Sequence, residues 1–209
     1  MKTIVIANFK GGTGKTFAAV VLSEMFAVAG QRVTVADMDE QLNAVDYLRD
    51  VDGEAVFAGI TPIASAGVEP DYQAIAAGGA DVLIIDTPPR SFRDPAVRRV
   101  IGRADLVIIP LVLRLHALTA FDDLAGFVPD TVPILPMISV GGGLTKPKKD
   151  LLEKVRGACG VGSVLPAVVV PMLDRVDENL TARRPFWYRV SEKEYARFEA
   201  LRDSVLATL

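Results

Sequence analysis

The chain has 209 residues, of which 50% are hydrophobic and 23% charged, with a formal net charge of −3. That length supports one globular domain with a full core and is marginal for two, and the composition excludes a disordered chain. The charge excludes a molecule that is basic all over, though not a local basic patch, and the single cysteine, Cys159, excludes an internal disulfide and a multi-cysteine metal or iron–sulfur site within one chain.

Residues 3–8, TIVIAN, form a β-branched run that predicts a first strand. A glycine loop follows, and then a helical stretch from Lys15 to about Ala29. Residues 32–37, RVTVAD, predict a second strand ending in an acid. Residues 50–80 are weakly patterned and rich in Gly, Ala and Pro, and predict irregular structure around one short strand near 55–58. The near-continuous apolar runs DVLIIDT (81–87) and DLVIIP (105–110) predict strands buried on both faces. VPILPMI (132–138) and VLPAVVV (164–170) predict two more. Helices are expected at 94–102, 117–127, 146–158 and 191–207, with a mobile loop over 139–149. This alternation predicts an α/β, doubly wound, mostly parallel sheet, with one domain over 1–209. Ligands of such sheets bind outside the carboxyl ends of the strands. The apolar start runs into the glycine loop with no signal-peptide cleavage site, and no run reaches the ~20 apolar residues that span a bilayer. A cytoplasmic protein with no membrane partner is expected.

The strongest signal is Lys10-Gly11-Gly12-Thr13-Gly14-Lys15-Thr16, placed directly after the first strand. Small residues let backbone N–H groups converge on phosphate oxygens, and the positive end of the following helix favours the anion. A lysine, here Lys15, suits the β and γ phosphates, and a hydroxyl, here Thr16, suits magnesium. The general pattern G-x-x-x-x-G-K-[ST] is not met in full, because position 9 is Phe9. The compressed loop with its extra lysine instead resembles the deviant P-loop of the ParA/MinD ATPases, members of the P-loop NTPase fold. That resemblance implies ATP and Mg2+ as cofactors, with Gly11, Gly12, Thr13, Gly14, Lys15, Thr16 and Phe17 at the nucleotide. It also implies that Lys10 reaches across an ATP-bound homodimer to the partner's phosphates.

Two acidic motifs extend the resemblance. Asp37-Met38-Asp39-Glu40-Gln41-Leu42-Asn43 resembles the family's D-x-D-P-Q-x-N switch. By resemblance Asp39 orients the attacking water and Asp37 supports the metal. Glu40 stands in place of the usual proline and Leu42 in place of the usual glycine; both change loop stiffness, which bears on the hydrolysis rate more than on binding. Residues 82–89, VLIIDTPP, resemble the family's second acidic strand and switch, with Asp86 as a metal residue. Residues 104–110, ADLVIIP, continue the match, which covers about residues 1–125. The first strand begins at Thr3, as in the small members that lack an N-terminal helix-turn-helix domain.

Weaker signals come later in the chain. By fold analogy the base pocket lies near Val170, Pro171 and Met172. His116 reads as a surface or interface residue, and Cys159 as a small packing residue. Lys146, Lys148, Lys149, Arg156, Arg183 and Arg184 are candidate DNA contacts, or equally a solvated helix face. Tyr195, Phe198, Leu201 and Val205 share one face of the last helix and read as core. No Lys or Arg follows Arg202, unlike a basic membrane-targeting helix. The resemblance as a whole implies a partner-stimulated ATPase that binds DNA nonspecifically, is nucleoid-associated, and partitions a plasmid, chromosome region or other cargo with a ParB-like or other adaptor. A MinD-like nucleotide switch, a metal-insertion ATPase, a binding module without turnover, and a P-loop small-molecule kinase or ligase are the alternatives.

Overall fold

The computed structural model describes residues 1–50, 52–89, 94–113, 117–141, 145–160 and 162–209, with the backbone alone for 117–120. His116 lies outside these residues. The strands are β1 (Lys2–Ile6), β2 (Val33–Asp37), β3 (Ile60–Ala64), β4 (Val82–Asp86), β5 (Leu106–Val112), β6 (Ile134–Gly141) and β7 (Val168–Met172). The helices are α1 (Lys15–Val28), α2 (Asn43–Leu48), α3 (Tyr72–Ala77), α4 (Pro95–Gly102), α5 (Ala117–Ala125), α6 (Lys146–Gly157), α7 (Asp174–Thr181) and α8 (Glu192–Leu206). The strands form one seven-stranded sheet in the order β3-β2-β4-β1-β5-β6-β7. Every pairing in it is parallel, from Val33↔Ile60 at one edge to Met137↔Val168 at the other. The expected doubly wound α/β fold is therefore present.

Burial explains the strand runs. Residues of β2 and β4 are covered on both faces, so every side chain in VTVAD and VLIID is buried. On one face Ile4, Ile6, Val35, Ile84 and Ile108 pack against α1, α2, α7 and α8. On the other, Val5, Leu83, Ile85, Val107 and Ile109 pack beneath α4, α5 and α6. Phe26, Phe121, Phe186 and Phe198 are fully buried, each worth about 2–3 kcal/mol of transfer free energy. Phe198, Leu201 and Val205 of α8 are buried as their spacing predicts, and Tyr195 packs against the same cluster.

Local chemistry sets several helix starts. Asp94 accepts the Ala96 N–H at 2.8 Å with Pro95 in the first turn of α4. Ser191 and Glu194 form a reciprocal capping box at α8.

Three expectations need correction. The short strand lies at Ile60–Ala64, not near 55–58, where Ala55 makes an isolated antiparallel bridge to Arg49. Its Pro62 disguises the strand, and is tolerated because β3 is an edge. The last strand begins at Val168, because Pro166 separates it from Val164, which makes an isolated bridge to Ile134. The stretch over 139–149 is partly regular, since β6 runs to Gly141 and α6 begins at Lys146. No helix among the described residues is long and apolar enough to cross a membrane.

One buried acid has no counterpart in the sequence reading. Glu24 of α1 is 1% exposed. Its Oε2 accepts the Phe186 N–H at 2.9 Å, while Oε1 has no hydrogen-bond partner among the described residues. Burial pushes its carboxyl up to about 8, opposed by that backbone N–H.

Candidate functional site

The sheet brings three strand ends to one level. Asp37 pairs with Asp86 across β2 and β4, and Ile6 pairs with Asp86 across β1 and β4. The glycine loop leaves β1 directly above them. Asn8 pins its start, donating Nδ2–H to the Pro110 carbonyl at 2.6 Å and accepting the Lys10 N–H at 3.0 Å. Thr87 secures the strand beneath by donating to the Ile6 carbonyl at 2.8 Å. Neither residue was singled out from sequence; the only signal is a small polar residue at the end of an apolar run.

The loop backbone needs glycine at two points. Gly12 has φ 69° and Gly14, which caps α1, has φ 92°. A Cβ added at Gly11 or Gly12 would meet no protein atom within 4 Å, so the chain's own packing leaves space over the loop. Thr13 is buried and its hydroxyl donates to the Lys10 carbonyl at 3.2 Å. Lys15 is also buried and its Nζ donates to the same carbonyl at 3.3 Å. Burial lowers the Lys15 pKa, and the nearby Asp86 and Asp39 carboxylates oppose that. The Lys10 side chain is exposed. Phe17 sits in the first turn of α1, where backbone N–H groups lack intrahelical acceptors, but its ring packs on Phe198 at 6.2 Å between centroids.

The acids divide by role. Thr16 donates its hydroxyl to Asp86 Oδ2 at 2.7 Å. Asp86 Oδ1 is buried and has no hydrogen-bond partner among the described residues. Burial pushes the Asp86 carboxyl up to about 7; the Thr16 hydroxyl and Lys15 lower it, while Asp37 and Asp39 raise it. Asp37 is fully buried and spends its oxygens on backbone: Oδ1 accepts from the Asp39 N–H at 3.0 Å, and Oδ2 from Ala44 at 2.8 Å and Val45 at 3.4 Å. It therefore shapes the loop and caps α2 from the end of β2. Its pKa is raised by burial against those three donors. Asp39 is half-buried and turns the loop by accepting the Gln41 N–H at 3.0 Å. Leu42 has φ 49°, a left-handed conformation that explains why a glycine suits this position.

Met172 lines a cavity of about 300 Å³ with Gly141, Leu173, Asp174, Arg175 and Glu194. Pro171 is buried in β7 and is not among these lining residues. A Cβ on Gly14 would lie 3.9 Å from Ser139 Oγ, so the loop adjoins β6, whose end borders this cavity.

The chain resembles chromosome partitioning protein ParA of Caulobacter vibrioides, with 31% identity over 196 residues, 84% of this chain and 71% of that protein. The chain belongs to the ParA/MinD family of P-loop ATPases. Residues 1–57 of this ParA/MinD-family chain also match a family model described as an AAA domain. Its fold is that of the ATP complex of an McdA variant from Cyanothece, with a TM-score of 0.77, 18% identity and coverage of 98% of this chain and 96% of that one. It is also that of MinD in the Aquifex aeolicus MinC:MinD complex, with a TM-score of 0.73, 15% identity and coverage of 98% and 96%.

In this family member the basic residues noted in the last third do not form one group. Lys146, Lys148, Lys149 and Arg156 lie on α6, which packs on the face opposite α7. Arg183 and Arg184 follow α7. Lys148 donates to the Gly141 carbonyl at 2.8 Å, and Arg156 pairs with Glu153 at 3.1 Å. The Arg184 guanidinium lies 5.3 Å from the Tyr188 ring centroid. Cys159 is half-buried, donates to the Val155 carbonyl at 3.0 Å, and has a thiol pKa raised by burial, which suits packing and not nucleophilic chemistry.

Proposed function

We propose that this chain, as a single P-loop domain, is a magnesium-dependent ATPase whose ATP-bound homodimer binds DNA nonspecifically. In this reading a ParB-like or other adaptor stimulates slow hydrolysis, and the protein works in the cytoplasm on the nucleoid to partition or position a plasmid, chromosome region or other cargo. The supporting observation is the Thr16–Asp86 hydrogen bond beside Asp86 Oδ1, which has no partner among the described residues, at the foot of a glycine loop that carries Lys15.

That pair fits magnesium. A hydroxyl and a carboxylate are hard oxygen donors, and Oδ1, without a partner among the described residues, could accept from a metal-bound water. Among the described residues no three His, Cys, Asp or Glu side chains group as a metal site, so the protein alone would supply few of the ion's ligands. Magnesium, when bound, neutralises charge on the β- and γ-phosphate oxygens. Thr16 and Asp86 would hold it, and Asp37 would support it by fixing the loop between β2 and α2. Loop N–H groups from Gly11 to Phe17 cradle the phosphates. Lys15 pairs with their oxygens, and Lys10 reaches the partner subunit's nucleotide. Asp39 orients a water for in-line attack at the γ-phosphorus; the bond to the ADP oxygen breaks, and inorganic phosphate and a proton leave. The cavity beside Met172, at the end of the Pro171 strand, takes the base. Lys146, Lys148, Lys149, Arg156, Arg183 and Arg184 supply DNA phosphate contacts from two elements.

The test is retention on immobilised duplex DNA with ATP, ADP and no nucleotide, across increasing salt. The proposal expects retention with ATP that falls steeply with salt. Equal retention in all three states would refute nucleotide-switched DNA binding.

A further inference from the structure

The ion pair between Arg183 and Asp46 joins the turn after α7 to α2. The Arg183 guanidinium meets Asp46 Oδ1 at 3.2 Å, across 137 positions of sequence. Asp46 lies one turn into α2, the helix whose first N–H groups are held by Asp37 from the nucleotide site. Leu42, at the left-handed N-cap of α2, is where the loop from Asp39 turns into the helix. Any shift of residues 37–42 is therefore passed to Asp46 through a six-residue helix.

Arg183 is held in place from the other side. It follows the C-cap of α7 at φ 52°, with its N–H on the Leu180 carbonyl at 2.9 Å and the Arg184 N–H on Asn179 at 2.8 Å. Glycine is the usual residue there, so the position carries an arginine side chain at a steric cost. Between α2 and this turn lies a polar cleft of about 690 Å³, bordered by Leu42, Asn43, Asp46, Arg49, Asp50 and Arg183. The ion pair bridges this cleft. An arginine committed to a carboxylate is a weaker phosphate ligand than a free one.

We propose that Asp46 and Arg183 form a latch that restrains α2, and that ATP, by moving the 37–42 loop that leads into α2, opens it and releases Arg183 to DNA phosphate. The inference rests on the reading of the chain as an ATP-switched DNA binder. The pair is solvent-exposed, with side-chain exposures of 32% for Arg183 and 70% for Asp46, so the latch is weak. It biases the equilibrium between states without locking it.

The test compares the unaltered chain with Asp46→Asn, with Arg183→Gln, with the double variant, and with Asp52→Asn as a charge-matched control on the adjoining turn. Two quantities are read: affinity for a labelled duplex without nucleotide and with ATP, and affinity for a fluorescent ATP analogue without DNA. Asp46→Asn is expected to tighten nucleotide-free DNA binding by about two- to fivefold, the worth of an exposed ion pair. It should leave the ATP-bound affinity unchanged and add close to one unit to the salt slope of the nucleotide-free state. By linkage, ATP affinity rises by a similar factor. The effect on ATP affinity should vanish in the Arg183→Gln background, and Asp52→Asn should not reproduce it.

Equal DNA and ATP affinities for Asp46→Asn and the unaltered chain would overturn the latch. So would an equal effect from Asp52→Asn. If the unaltered chain fails to bind DNA in any nucleotide state, the DNA reading falls and with it the release of Arg183 to DNA. The ATP-affinity comparison then decides whether Asp46 restrains the switch.

Discussion

Replacing Glu24 by glutamine should make the protein more stable at pH 8 and change little at pH 5. The Glu24 carboxyl is buried, and its pKa is raised from the ordinary 4.5 to about 8. Below 4.5 the folded and unfolded chains both carry the proton. Between 4.5 and about 8 the unfolded chain gives it up while the folded chain keeps it. Stability associated with this group is therefore fully present at low pH and lost as pH rises toward 8. At about 1.4 kcal/mol per pKa unit, the ceiling on that loss is about 5 kcal/mol. Relaxation of the chain takes up part of it. In Glu24→Gln the amide oxygen still accepts the Phe186 N–H, while the ionisable group is gone. For a chain of this size each kcal/mol moves Tm by about 2–4 °C, so a rise of about 5–10 °C at pH 8 is expected. Thermal unfolding of both proteins at pH 5, 6.5 and 8 measures it. An equal or lower Tm for the variant at pH 8 would refute the reasoning, and so would a gap that fails to narrow toward pH 5.

Other consequences can be measured separately. Leu42→Gly should be about 1 kcal/mol more stable than Leu42→Ala in urea unfolding, because only the glycine relieves the left-handed backbone at φ 49°. Thr16→Val should lose about tenfold or more of ATP affinity in magnesium and little in chelator, read by calorimetric titration. An equal loss in both would separate Thr16 from the metal. Phe198→Ala removes a fully buried ring that packs on Phe17 and Phe186, and should cost about 3–5 kcal/mol in denaturant unfolding.

The parts of this molecule that announce themselves in sequence are those with uniform surroundings. β1, β2, β4 and β5 are covered on both faces, so their apolar runs locate them to within a residue or two. The loop from Lys10 to Thr16 is legible because its glycines and the following helix are contiguous. The short helices α2, α3 and α7 are not, since six to eight residues carry little periodicity by themselves; α4, equally short, is legible because Asp94-Pro95 marks its start. β3 hides behind Pro62. The role of Asp37 as the cap of α2 depends on a strand end folding back over a helix start seven residues later. Glu24 reads, with Ser23, as a polar break in an apolar helix until Phe186, 162 positions away, supplies its partner. The same holds for Asp46 and Arg183.

The most direct test of the central claim is release of inorganic phosphate from ATP in magnesium by the unaltered chain and by Lys15→Ala. The account predicts slow release by the unaltered chain and none above background by the variant, because it assigns to Lys15, buried at the head of α1, the charge that would meet the phosphates. Equal release by the two proteins would contradict it.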